Sequence, residues 1–129
     1  GYFENNLDDI ATLNASCKGL KPKGKFIIDF MNADSVKMNL VEKEEKKIQD
    51  INFSISRKIE KNFIIKKIIV SDKGKEFHFF EKVKALTLDD FEKYLAVSGL
   101  KIINLYGNYN LDPFDKGCSD RLILFTEKK

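Results

Sequence analysis

Residues 20 to 32 read LKPKGKFIIDFMN. In Lys21-Pro22-Lys23-Gly24 proline presets the second position of a reversal and glycine takes the fourth, the pattern of a type I turn. The chain then enters Lys25 to Phe30, where Phe26, Ile27, Ile28 and Phe30 run without alternation. Such a run is expected to form a strand covered on both faces. Asp29, Phe30 and Asn32 end it, and open α/β sheets bind their ligands beyond the carboxyl ends of strands. Only nineteen residues precede the stretch, and they contain no glycine-rich loop of the kind that cradles a cofactor.

Working outward, Leu7, Ile10, Leu13, Cys17 and Leu20 recur at helical spacing, with Asp8 and Asp9 near the start and Lys18 near the end, as the helix dipole favours. The helix is expected over residues 6 to 19. On the other side, residues 33 to 49 carry one short helix and the charge run Glu42 to Lys47, read as a solvated face or loop. Ile51, Phe53, Ile55 and Ile59 alternate with polar residues, as do Phe77, Phe79 and Val83, while residues 63 to 70 are more uniformly apolar. These are expected antiparallel strands with one wet face, and Asp72-Lys73-Gly74-Lys75 is a hairpin turn between two of them. Thr87 and Asp90 form a capping box for a second helix carrying Leu88, Phe91 and Leu95 on one face, and Gly99 ends it as a left-handed cap. A strand over 101 to 106, a loop over 107 to 120 and a strand over 121 to 126 complete the chain.

Composition narrows the classes. The 129 residues suit one domain, and 12% aromatics with 43% hydrophobics argue against disorder despite 33% charged residues. The net charge of +3 is spread along the chain and only Arg57 and Arg121 are arginines, a poor footprint for reading nucleic acid. Cys17 and Cys118 are far apart and His78 is the only histidine, which excludes the usual zinc patterns and leaves no metal expected. The absence of an 18-residue apolar run or a basic-then-apolar leader in this stretch leads to the expectation of a soluble cytoplasmic protein that engages no membrane.

Three stretches, GYFENNLDDIATLNASCKGLKPKGKFIIDFMN, FHFFEKVKALTLDDFEKYLAVSGLKIINLYGNY and CSDRLILFTEKK, lie in one order and spacing. Together they resemble the C-terminal half of class I S-adenosylmethionine-dependent methyltransferases, with bacterial members in view. The resemblance implies an α/β fold: strands five and six of a Rossmann-like sheet, an antiparallel seventh strand inserted between them, two main helices, and an antiparallel excursion. Residues 1 to 129 would be a single truncated domain, with 33 to 86 as an inserted lid on the acceptor side. Lys23 stands where the family commonly has glycine. The family's glycine-rich loop and acidic second-strand end would lie upstream, and no G-x-G spacing occurs in these residues, so the fragment alone is expected to be inactive and not to hold S-adenosylmethionine.

On this resemblance Tyr2 and Phe3 follow the fourth strand beside the cofactor, a reading that competes with simple packing of the first helix. Asp29, Phe30, Asn32, Tyr106, Tyr109 and Arg121 would line the pocket of a small-molecule acceptor. Two of these have a second reading: Asn32 as a turn or cap residue, and Arg121 as the partner of Asp120 or Asp112. Neighbouring Asn108 lies in the same post-strand segment. His78 is a candidate general base or a structural strand residue. The fifth strand lies between the fourth and the seventh in the intact fold, so a chain lacking the fourth is expected to form a homodimer or oligomer through residues 25 to 30. From a different class comes a self-sufficient α+β module that binds a small ligand or protein without catalysis.

Overall fold

The reversal ahead of the first strand is type II. The Gly24 amide donates to the Lys21 carbonyl at 2.8 Å, Pro22 holds the second position, and Lys23 takes φ +60°. A positive φ at the third position defines type II rather than the expected type I, and is the conformation glycine adopts most cheaply. Gly24 itself has no room for a side chain, since a Cβ would stand 2.8 Å from the Lys21 carbonyl oxygen.

The computed structural model describes residues 3–129, in two compact units. The first comprises residues 3–38 and 86–129. It contains α1 (Asn6–Gly19), β1 (Lys25–Met31), α2 (Ala33–Met38), α3 (Leu88–Ser98), β6 (Leu100–Tyr106) and β7 (Arg121–Lys128). Its sheet has the order β1-β7-β6 with β7 antiparallel to both neighbours. The last strand therefore inserts between two mutually parallel ones, as the family resemblance implied. Asn5 caps α1 by accepting from the Leu7 amide at 2.9 Å. Thr87 and Asp90 form the capping box of α3, and Gly99 ends that helix at φ +76°.

One face of this sheet carries the core. Leu13 and Cys17 of α1, Phe91 and Leu95 of α3, Leu100 of β6, and Leu122 and Leu124 of β7 form one buried cluster. Phe26, Ile28 and Phe30 pack against it from β1. On α1 the inward stripe differs from the expected one. Asp9 is buried beside Leu13 and Cys17, while Leu7 is 69% exposed. Strand β1 also alternates: Lys25, Ile27 and Asp29 are exposed and Ile27 reaches 52%. The expectation of cover on both faces fails within this unit, because both long helices lie on the side of Phe26, Ile28 and Phe30.

The second unit, residues 39–85, is an antiparallel meander of β2 (Lys43–Ile48), β3 (Ile51–Glu60), β4 (Phe63–Asp72) and β5 (Lys75–Lys84), paired in that order. It is narrower than the expected excursion of 33 to 86, since α2 belongs with the first unit. The charge run is an edge strand rather than a loop, with Glu44 held by Lys46 at 3.1 Å and Arg57 at 3.0 Å. Charges along an edge discourage pairing with other chains. Lys61 and Asn62 adopt φ +50° and +63°, and Lys73 and Gly74 φ +49° and +75°, the left-handed pairs of tight hairpins. Phe77 and Phe79 are 49% and 56% exposed, on β5, the terminal strand of this sheet among the described residues.

Leu124 is fully buried in the central strand. Leu124→Ala is expected to cost about 2 to 5 kcal/mol in urea-induced unfolding. Leu7→Ala, on an exposed turn of α1, is expected to stay within about 0.5 kcal/mol of the parent.

Candidate functional site

Three of the residues singled out in the sequence converge on the sheet face opposite the helices. The pairing of β1 with β7 sets Met31 across from Arg121 and Asp29 across from Ile123. Arg121 is thus the diagonal neighbour of Asp29 on one face, a position from which a long side chain reaches across. The Arg121 Nε donates to Asp29 Oδ1 at 2.6 Å, and the Tyr109 hydroxyl donates to Asp29 Oδ2 at 2.8 Å. The Arg121 guanidinium lies 5.4 Å from the centre of the Tyr109 ring, closing a three-membered cluster. The Arg121 and Asp29 side chains keep 34% and 38% of their surface exposed, so the cluster is open to a solute.

Burial by itself pushes the Asp29 carboxyl upward, but hydrogen bonds from Arg121 and Tyr109 and the guanidinium charge outweigh it. The net result lies below the ordinary 3.8. Tyr109 moves the other way: its hydrogen bond to Asp29 raises the phenol above 10.0. Asp29 is therefore an anion at neutral pH with acceptor capacity left on both oxygens.

The loop that delivers Tyr109 is built by its own polar groups. Asn108 Oδ1 accepts from the amides of Asn110 and Asp112 at 2.9 and 3.2 Å. Gly107 donates to Asp112 at 2.8 Å, and its carbonyl accepts from the Arg121 amide at 3.0 Å. A Cβ on Gly107 would collide with the Ser119 side chain. Asn32 ties this loop to β1. It is 1% exposed, and its Nδ2 donates to the carbonyls of Lys116 at 3.0 Å and Ser119 at 2.8 Å. Its own carbonyl accepts from the Val36 amide in α2. Asn32 thus acts through the backbone it holds.

The remaining candidates lie elsewhere. Tyr106 shares the face with Asp29, opposite Ile123, and meets Phe125 edge-to-face at 5.1 Å. Phe30 points to the helical side, edge-to-face with Phe91 at 5.3 Å. Together with Phe3 and Asp29 it lines a cavity of about 320 Å3 bounded by α1, α3 and β1. Tyr94, also on that cavity, has its phenol raised by burial and then by the charges of Asp9 and Asp90. Tyr2 falls outside the described residues. His78 belongs to the second unit, exposed on β5 with Glu76 at 3.5 Å. Arg121 pairs with Asp29 and not with Asp120 or Asp112. The expected partners are near in sequence, whereas the actual one is brought across by strand register.

At the far end of the same face Glu127 lies between Lys25 and Lys101, the latter at 3.0 Å. The Lys25 and Lys101 hydrogen bonds lower the Glu127 carboxyl from 4.5 to about 2. Among the described residues no group of three or more His, Cys, Asp or Glu is placed to hold a metal ion. No described helix is long and apolar enough to cross a membrane.

Comparison with solved structures assigns the fold. The chain superposes on an S-adenosylmethionine-dependent methyltransferase from Clostridium acetobutylicum with TM-score 0.85 at 19% identity, covering 98% of this chain and 53% of that one. The CcbJ methyltransferase from Streptomyces caelestis gives TM-score 0.84 at 14% identity, covering 99% and 56%. CalS10, an amino pentose methyltransferase from Micromonospora echinaspora solved with S-adenosylmethionine bound, gives 0.67 at 11%, covering 99% and 53%. No protein-family profile and no curated protein sequence matches. The fold is that of the C-terminal half of a Rossmann-like methyltransferase domain, and the chain spans about half the length of these structures.

Carboxyl-detected NMR titration checks the cluster. In Arg121→Leu the Asp29 carboxyl is expected to titrate higher than in the parent, and in Asp29→Asn the Tyr109 phenol is expected to titrate lower. Asp29 and Glu127 both have folded values below their ordinary ones. Their stabilisation is therefore complete above the ordinary carboxylate range and is lost as pH falls through the folded values. For Glu127 that window runs from about 4.5 down to about 2.

Proposed function

We propose that this chain forms the acceptor side of an S-adenosylmethionine-dependent methyltransferase acting on a small molecule. One observation carries the reading: Asp29, Tyr109 and Arg121 gather at the carboxyl end of β1, the end of an open α/β sheet at which ligands bind. Support comes from the company the fold keeps, because CalS10 is an amino pentose methyltransferase and KedS8 a sugar N-methyltransferase. The cluster suits an acceptor carrying amino or hydroxyl groups. The Asp29 carboxylate accepts from such groups, Tyr109 offers a ring to lie against, and Arg121 donates to an oxygen. Methyl transfer depends strongly on alignment of the reacting atoms, and positioning is what this chain's residues supply.

The described residues do not by themselves fit S-adenosylmethionine. A sulfonium nucleoside needs backbone that approaches closely at a glycine-rich turn and a carboxylate for its ribose hydroxyls. The glycines here serve other ends: Gly24 completes a reversal, Gly99 caps α3 and Gly107 makes room for Ser119. Of the two cofactor candidates, Phe3 is described and offers an apolar surface 47% exposed. On its own the chain is therefore read as inactive, with a glycine-rich half of the fold needed for turnover. Two free thiols, Cys17 buried and Cys118 exposed, suit a reducing compartment, and we place the protein in the cytoplasm.

Two titrations of the 129-residue chain test these readings. Calorimetry with S-adenosylmethionine is expected to show no binding in the micromolar range, and a micromolar Kd would overturn the second reading. In NMR, a panel of small amino sugars and polyols is expected to shift the signals of Asp29, Tyr106, Tyr109 and Arg121 at millimolar concentrations. Asp29→Ala and Tyr109→Ala are expected to weaken that response at least fivefold. A response confined to residues 39–85, or unchanged in both variants, would count against the acceptor site.

A further inference from the structure

The meander of residues 39–85 carries two faces of opposite character, and strand register assigns each residue to one of them. Directly opposed residues of an antiparallel ladder share a face. Lys43 opposes Ser56, Ser56 opposes Lys67 and Lys67 opposes Phe80, which makes one row across all four strands. Two positions further along β3, Lys58 opposes Ile65 and Ile65 opposes Lys82, a second row on the same face. The other face holds Ile55, Ile68 and Phe79 in line. Each strand thus contributes one lysine to two adjacent rows. Lys67 is the diagonal neighbour of both Lys58 and Lys82, with Ile65 between those two.

A hollow of about 140 Å3 opens within this group, lined by Ser56, Arg57, Lys58, Ile65 and Lys67. Ile65, 8% exposed, gives it an apolar floor, and Ser56, Lys58 and Lys67 stand exposed around it. Arg57 belongs to the opposite face, where its guanidinium meets Glu44 at 3.0 Å. Sites that enclose a whole small molecule measure roughly 300 to 1,000 Å3, so this one suits a single compact group. Charge decides which kind. Lys58 is paired with Glu60 at 2.8 Å, whereas among the described residues Lys43 and Lys67 form no ion pair. Like charges gathered on neighbouring strands disfavour one another, and an anion among them removes that cost.

We propose that this hollow binds a phosphate dianion, free or as the monoester end of a small soluble molecule. The Ser56 hydroxyl lies between Lys43 and Lys67 in its row and donates to one oxygen, while the ammonium groups of Lys67, Lys43 and Lys58 serve the others. Each ammonium is a compact charge with three donors, able to turn toward an oxygen. A phosphate group offers three acceptor oxygens and close to two negative charges, which answers donors arriving from three strands better than a planar carboxylate does. Phe80, 60% exposed and directly opposite Lys67, supplies an apolar surface one strand beyond the hollow for the organic part of an ester.

Amide NMR titration of the 129-residue chain tests the site, with ionic strength held constant by sodium chloride. Inorganic phosphate is expected to shift Ser56, Lys58, Ile65 and Lys67 with a Kd on the order of 1 mM. Lys67→Gln and Ser56→Ala are each expected to raise that Kd at least threefold. Lys93→Gln, which removes the same charge from an exposed position of α3, is expected to leave it within twofold. Phenyl phosphate distinguishes the two sources. Binding tighter than phosphate, and weakened in Phe80→Ala, assigns the site to an ester; equal binding assigns it to free phosphate. Absence of saturable shifts at these residues up to 20 mM overturns the proposal, as does an equal loss in Lys93→Gln, which would mark unspecific charge attraction. A response to anionic lipid vesicles without one to phosphate overturns the assignment to a soluble ligand. The titration involves neither methyl transfer nor the Asp29 cluster, so its failure is separable from that of the proposed function.

Discussion

The insertion of β7 between β1 and β6 is the constraint on which the first unit rests. These strands are about a hundred residues apart at their extremes; among the described residues β1 pairs with no other strand, and β6 adds the isolated bridge of Tyr106 with Pro113. Every ladder bond of this sheet therefore involves the last eight-residue strand. Leu122, Leu124 and Thr126 are buried to within 1% along it. Thr126, a polar residue in that row, is satisfied by donating its hydroxyl to the Phe26 carbonyl at 2.7 Å. A buried hydroxyl without a partner would be costly, so this bond also selects the register.

Because side chains alternate across a strand, one register serves two purposes. Leu122 and Leu124 turn toward the helices and build the core. Arg121, Ile123, Phe125 and Glu127 turn the other way, and with them come Asp29, Ile27 and Lys25 of β1. That second face has charged clusters at its two ends and apolar side chains between. A slip of one residue would exchange the two sets, burying Arg121 and Glu127 and exposing the leucines. Folding and presentation of the candidate site are in this sense the same event.

The loop after β6 shows how a polar residue far from any chemistry can still decide a site's geometry. Asn32 ends the first strand and is enclosed by the loop, where its amide group ties down main-chain carbonyls. With Gly107 and Asn108 it makes the loop a defined structure, so Tyr109 arrives at Asp29 from eighty residues away. Removing the hydroxyl or the guanidinium leaves Asp29 with fewer donors, whereas loosening Asn32 would release the loop backbone that Asn32 holds at Lys116 and Ser119.

Much of the architecture was legible from local signals. Residues 6 to 19 form a helix because Leu13 and Cys17 recur at its period, and Thr87 with Asp90 and Gly99 mark the ends of another, since caps are chemical facts of a few neighbouring residues. The hairpin at Lys73-Gly74 was equally local. Family resemblance in ordered stretches added the order of the strands. Which residues meet was not legible. The turn type hinged on Lys23 accepting a positive φ, Leu7 and Asp9 exchanged expected places on α1, and the charge run became a strand because β3 offered it an edge. At the site, Asp29, Tyr109 and Arg121 could each be named from position at a strand end, but not as a cluster. Their contacts span 80 and 92 residues, and only the register of β1 against β7 brings side chains so distant in sequence within hydrogen-bonding distance.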